Sequence, residues 1–267
     1  MSFCESLFSF DGISCTEFDL SIYELSDHQI NDGFFAGTAD ILEEHIASKY
    51  TPLFYGVKYS KKLEFQIIFG LNEDRLNKGK SLTMQEADAI AAWLIGHDEY
   101  KYLVINHDEL ADIRFKCMVT SLEEITYGKS LWAMRATITC DGPYAYRSPS
   151  PISFHIKNSG KVAVNNLSSH NGYYRPVIQF KPTAGGDLVI QNITDNGRVF
   201  EIKNIPASVV DLQIDNETLV ITNSAGLNLY KGFNKRAFRL KRGNNELQIS
   251  GSGELIFHCE FPINVCG

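Results

Sequence analysis

The sequence predicts a mainly β protein of two domains, and three observations carry that reading. A strand-like run stops at a proline-rich turn near mid-chain, one segment alone has helical spacing with a start signal, and everything after the turn divides into short strand-like pieces. The turn is Cys140-Asp-Gly-Pro-Tyr-Ala-Tyr-Arg-Ser-Pro-Ser-Pro151. Before it, residues 134–140 alternate apolar and polar side chains; within it, Asp-Gly-Pro turns the chain and the later prolines remove backbone donors. It divides the chain into residues 1–146 and 147–267.

Residues 1–146 open on Leu7-Phe-Ser-Phe-Asp-Gly-Ile13, a strand entering an Asp-Gly turn, with residues 18–22 expected as its hairpin partner. From 25 to 52 the pattern weakens: Asn31-Asp-Gly33 and Gly37 break it, and residues 41–46 fit a helical turn or an extended arm equally well. Residues 54–59 and 62–69 are rich in aromatic and β-branched side chains and read as strands. The one expected helix runs from 83 to 94, with Thr83 and Glu86 in capping-box spacing, Ala87, Ile90, Ala91 and Leu94 as an apolar stripe, Met84 on the same side, and Gly96 as the stop. Strands resume at 100–105, 112–120 and 131–140, the last two as an antiparallel pair.

After the turn no helix is needed. Strand-like pieces fall at 153–157, 161–164, 175–180, 187–192, 198–202, 209–211, 218–222, 237–240, 246–250 and 254–259, with Asn, Gly and Pro turns between them. That many short strands predict a two-sheet sandwich of jelly-roll kind.

Composition narrows the function. The chain has 267 residues, 44% hydrophobic and 12% aromatic, enough for a sizeable core. No apolar run has the length of a membrane span, and Met1-Ser-Phe-Cys-Glu-Ser lacks a basic segment leading into an apolar one, so neither membrane embedding nor secretion is expected. A net charge of −7 without like-charge blocks argues against general binding along nucleic acid, while leaving room for a local basic patch. The six cysteines, at 4, 15, 117, 140, 259 and 266, form no metal-type spacing and read as reduced, partly buried thiols, with a disulfide as the alternative. Asn166, Asn192 and Asn216, each in Asn-x-Ser/Thr, then signify surface polarity alone.

No catalytic motif emerges. Gly79-Lys-Ser81 and Gly128-Lys-Ser130 resemble the end of a phosphate loop, but the first glycine of that motif falls on Asp74 and Glu123, which would repel phosphate. His-Asp-Glu at 97–99 and again at 107–109 brackets a strand about 20 Å long, too far apart for one metal site. Gly251-Ser-Gly253 reads as a hairpin turn. Trp93 and Trp132 read as core or interface packing, and after residue 150, where there is no tryptophan, Tyr173, Tyr174 and Tyr230 with Phe233 could substitute as a sugar-stacking platform. No catalytic residue, metal or cofactor is expected.

Four segments in one order carry a resemblance: Phe8-Ser-Phe-Asp-Gly-Ile13, Trp93-Leu94, Cys140-Asp-Gly-Pro-Tyr-Ala-Tyr146 and Arg239-Leu-Lys-Arg-Gly-Asn-Asn-Glu-Leu-Gln-Ile-Ser-Gly251. With them the chain resembles the distal tail protein family of long-tailed, non-contractile bacteriophages, over nearly its whole length. Where the family pattern has proline before the last segment, this chain has Arg236-Ala-Phe-Arg239. The resemblance implies an N-terminal β-sandwich or barrel-like domain with one helix and a projecting arm, closing a homo-hexameric ring, and a C-terminal galectin-like sandwich. It further implies a virion tail-tip location after assembly in the host cytoplasm. The implied neighbours are the tail tube protein, the tail-associated protein of the tip and receptor-binding proteins. DNA would pass through the lumen without specific binding. A ring needs two different faces that fit each other, and an arm across the joint closes it. The weakly patterned stretch 25–52 is the expected arm, with Phe34, Phe35 and Tyr50 as anchors. Two other classes remain: a carbohydrate-binding module for host recognition using Tyr173, Tyr174 or Tyr230, and a hydrolase of cell-wall polymers.

Overall fold

The structure is a computed structural model that describes residues 5–26, 39–59 and 62–265. The chain forms two compact units, Met1–Tyr146 with Asn264–Gly267, and Arg147–Ile263.

In the first unit β1 (Leu7–Phe10) makes a short hairpin with β2 (Ile13–Ser14), and a 3-10 turn over Cys15–Phe18 leads to β3 (Leu20–Ser26). The expected pairing of residues 18–22 with the first strand gives way here. Asp19, in the left-handed region at φ 56°, ends the 3-10 turn and redirects the chain, so that β3 pairs along β6 (Glu64–Leu71). A small separate sheet, β4 (Ala39–Glu44) with β5 (Leu53–Tyr59), intervenes. Then come α1 (Glu73–Asn77), α2 (Met84–Leu94), β7 (Lys101–Asn106), β8 (Ile113–Tyr127) and β9 (Ser130–Cys140). The main sheet runs β2-β1-β7-β8-β9-β6-β3, all antiparallel along this path. Strands β8 and β9 form the expected pair, with Cys117 opposite Cys140 at one end and Tyr127 opposite Ser130 at the other.

A short helical segment precedes the expected helix. Five residues are too few to show a period, but Asn72 caps α1 by accepting from the Arg75 N–H at 3.1 Å, and Glu73 and Asp74 occupy its first turn. The capping box of α2 is complete: Thr83 Oγ1 accepts from the Glu86 N–H, and the Glu86 carboxylate accepts from the Thr83 N–H at 2.9 Å. Ala87, Ile90, Trp93 and Leu94 are buried. Met84, expected with them, is exposed, because at about 100° per residue it lies roughly a third of a turn round from the Ile90 and Leu94 side. Trp93 stacks between Phe8 at 5.6 Å and Phe18 at 5.0 Å, and its Nε1 donates to the Phe10 carbonyl at 3.0 Å. The helix is thereby fixed to β1, and the core continues through Phe65, Ile67, Phe69 and Phe115.

After β10 (Ala145–Arg147), the second unit comprises β11 (Ser150–Ile156), β12 (Ser159–Asn166), β13 (Val177–Pro182), β14 (Gly186–Asn192), β15 (Arg198–Ile205), β16 (Leu212–Asp215), β17 (Val220–Asn223), β18 (Gly243–Ser250) and β19 (Gly253–Cys259). They form two sheets, β11-β19-β13-β16-β17 and β12-β18-β14-β15. Burial alternates along β14 and β18, as the pleat requires when one face meets a core. Both sheets contribute to that core: Ile178, Phe180, Leu212, Ile214, Leu255 and Phe257 from one, Leu188, Ile190, Phe200, Ile202, Leu247 and Ile249 from the other.

Two expected strands, at 209–211 and 237–240, are not ladder strands. The second is held by side-chain amides instead. Asn216 accepts from the Phe238 N–H at 2.8 Å and donates to the Pro176 carbonyl at 2.7 Å, Asn192 donates to the Arg239 carbonyl at 3.0 Å, and Asn166 donates to the Leu240 carbonyl at 3.3 Å. All three asparagines are at most 2% exposed. They are therefore structural, not surface polarity, and the reason is that a buried segment without a ladder still needs partners for its peptide groups.

Candidate assembly site

The feature of the first unit that its core does not explain is the hairpin of β4 and β5. These strands pair only with each other among the described residues, in the register Ile41 to Val57, Glu43 to Phe54 and Glu44 to Leu53, with a bulge between Leu42 and Glu43. The segment 41–46, open in sequence to helix or strand, is extended through Glu44. A lone two-stranded ribbon is marginally stable in water. This one leaves apolar side chains in solvent on both faces: Ile41, Val57 and Phe54 belong to one, and Leu42, Leu53 and Tyr55 to the other, with Ile41 62%, Phe54 65% and Tyr55 63% exposed. The Tyr55 hydroxyl donates to the Glu44 carboxylate at 2.8 Å, and that bond pushes the phenol up from its ordinary range.

Of the residues expected as anchors, Tyr50 lies in the connection between the two strands and is fully exposed. Phe34 and Phe35 fall outside the described residues. The sequence reading missed Ile41, Leu42, Leu53, Phe54, Tyr55 and Val57. Their signal was present: Ile41-Leu42 and Leu53-Phe-Tyr55 put neighbouring apolar residues on opposite faces of a strand, a pattern that calls for cover on both sides.

The other candidate side chains have the following partners. His97 Nε2 lies 2.7 Å from the Trp93 carbonyl with its ring edge-on to Phe10, and His107 Nδ1 accepts from the Glu109 N–H at 3.3 Å. Among the described residues no group of three or more His, Cys, Asp or Glu is placed to hold a metal ion. Tyr174 accepts from the Glu260 N–H at 2.7 Å, and Tyr230 bonds Ile221 N–H and the Leu219 carbonyl. Tyr173 is covered by the Arg239 guanidinium at 3.5 Å. Cys15, Cys117, Cys140 and Cys259 are buried free thiols; burial pushes Cys117 and Cys259 up to about 12 and Cys140 upward as well, so they are protonated and unreactive near neutrality.

Residues 4–142 match the family described as phage tail protein N-terminal domain, and residues 144–259 match phage tail C-terminal domain. No curated protein matches the sequence. Among solved structures, the fold is similar to that of SPP1 Dit (gp 19.1), described as a paradigm of the hub adsorption apparatus in phages infecting Gram-positive hosts. The TM-score is 0.63 at 12% identity, over 96% of this chain and 99% of that one. With a family match across more than half its length and that fold throughout, the chain belongs to the phage tail proteins and has the architecture of a distal tail protein.

Proposed function

We propose that this protein is the hub of a phage tail tip, a homo-hexameric ring that joins the tail tube to the tail-associated protein of the adsorption apparatus and lets DNA pass through its centre. The observation that carries the reading is the unsupported hairpin of β4 and β5 with apolar side chains on both faces. Each large apolar side chain moved fully out of water contributes about 1.5–3 kcal/mol, so seating this ribbon on a neighbouring copy supplies a directional contact of the kind that closes rings. Charge supports the passage of DNA. Residues 1–146 hold 23 Asp+Glu against 12 Lys+Arg, a balance that repels a phosphate backbone. The work is then done by interfaces, with no chemistry at reactive groups, and the site of action is the virion tail.

The test is the mass in solution of the full chain beside the Ile41→Asp/Val57→Asp double variant. The reading expects a hexamer or double hexamer for the parent and a smaller species of unchanged circular dichroism for the variant. Identical assemblies from both would overturn the role given to the hairpin.

A further inference from the structure

Charge is divided unequally along the chain. Residues 1–146 hold 12 Lys+Arg against 23 Asp+Glu, a balance of −11, and residues 147–267 hold 13 against 9, a balance of +4. Part of that positive excess is gathered in the second unit, where the loop following β14 meets the amide-held segment before β18.

The gathering is built on rigid parts. Asp195, 3% exposed, is consumed by Arg239, with bonds of 2.7 and 3.3 Å, and by Lys241 at 3.8 Å. Arg239 also lies over the Tyr173 ring. Arg198 donates its Nε to the Ala237 carbonyl at 3.1 Å, which places its guanidinium beside this cluster. Arg175 is paired with Glu217 at 3.2 Å on the surface. Neither Arg198 nor the exposed Arg236 makes an ion pair among the described residues. Burial first, and then the fields of Arg239, Arg236 and Arg175, hold the Arg198 guanidinium below the usual arginine range, with Asp195 opposing. A cation in such surroundings gains from any anion placed against it.

The geometry points to a docking surface at Arg198 and Arg236 that accepts a carboxylate-rich segment of a partner protein. Guanidinium groups bind planar oxyanions through paired N–H donors, and Arg198 keeps its terminal nitrogens for that purpose once Nε is spent on Ala237. A carboxylate presents two coplanar oxygens to that fork, and Arg198 with Arg236 offers a short patch and not a track along which an extended polyanion could run. This favours a protein segment over a phosphate polymer. The surface lies wholly in the second unit and does not depend on ring closure by the hairpin.

Fluorescence anisotropy of a labelled hexaglutamate peptide with the full chain tests it, with polyphosphate as a parallel ligand. The expected result is peptide binding at about 50 mM salt that weakens at least about tenfold by about 500 mM, because exposed ion pairs are screened. Arg198→Glu/Arg236→Glu should abolish binding and also lower the melting temperature, because the Ala237 carbonyl loses its donor. Arg236→Glu alone, at an exposed position that cannot disturb the core, should weaken it at least about threefold. Absence of peptide binding at low salt, equal binding by the Arg236→Glu chain, or binding of polyphosphate without the peptide would each overturn the proposal.

Discussion

Asn216 joins two stretches of chain through one amide, accepting from Phe238 and donating to Pro176 in a site that water does not reach. Replacing it with alanine leaves two buried peptide groups without partners, at about 1–3 kcal/mol each. Asn216→Ala should therefore lower the stability of the second unit by about 2–4 kcal/mol in chemical denaturation, and a loss under about 0.5 kcal/mol would mean that the amide is dispensable. Nothing local announced this role. The Asn-x-Ser/Thr spacing was visible at 166, 192 and 216, but the need for these amides arises from residues 236–240, distant in sequence and lacking a ladder. Glu86 is the opposite case, a residue whose role was legible from Thr83 three positions earlier. What the spacing could not show was Arg75, whose guanidinium at 2.9 Å, together with the Thr83 N–H, holds the Glu86 carboxyl down to about 2. A carboxylate depressed on folding stabilises the fold fully above its ordinary range near 4.5, and that contribution is lost as pH falls through about 2. Because the side chain is about a third exposed, solvent screening limits the effect to about 1 kcal/mol. Glu86→Gln should show a deficit of that size at pH 7 that closes as the pH is lowered from 4.5 to 2, measured by denaturation across that range. A deficit independent of pH would assign the effect to the cap alone.

Among the elements, those with their own period were readable. Helix α2 and strands β8, β9, β18 and β19 bury their faces locally, so capping and alternation identify them. The pairing of β3 with β6 was not readable, since it depends on the left-handed turn at Asp19 and on a strand more than 40 residues away. The pairing of β4 with β5 was hard for a further reason: its apolar residues answer to no core among the described residues, so residues 41–46 fitted neither alternation nor helical spacing. That property gives it a signature in solution. Lys49, exposed in the connection between the strands, should be the first trypsin site in the dissociated chain and should be protected on assembly, as read by mass spectrometry of the early fragments. Cleavage at Lys49 at equal rates in both states would show that the hairpin tip stays free in the ring.

At the scale of the whole molecule, the two units differ in charge and in surface. The first is acidic and carries an apolar two-stranded ribbon; the second is a two-sheet sandwich with a net positive balance and an arginine cluster. The overall β character was legible because strand-like runs with turn signals between them recur on both sides of the Cys140–Pro151 turn. The proposed ring rests on the family resemblance, because a ring is specified by complementary faces of two copies and a single sequence shows each face without its mate. Electron microscopy of the purified, assembled chain is the most direct measurement. Six-fold rings in which residues 39–59 of each subunit lie against the adjacent subunit are the expected image. Separate subunits, or rings in which that hairpin lies back on its own chain, would contradict the account.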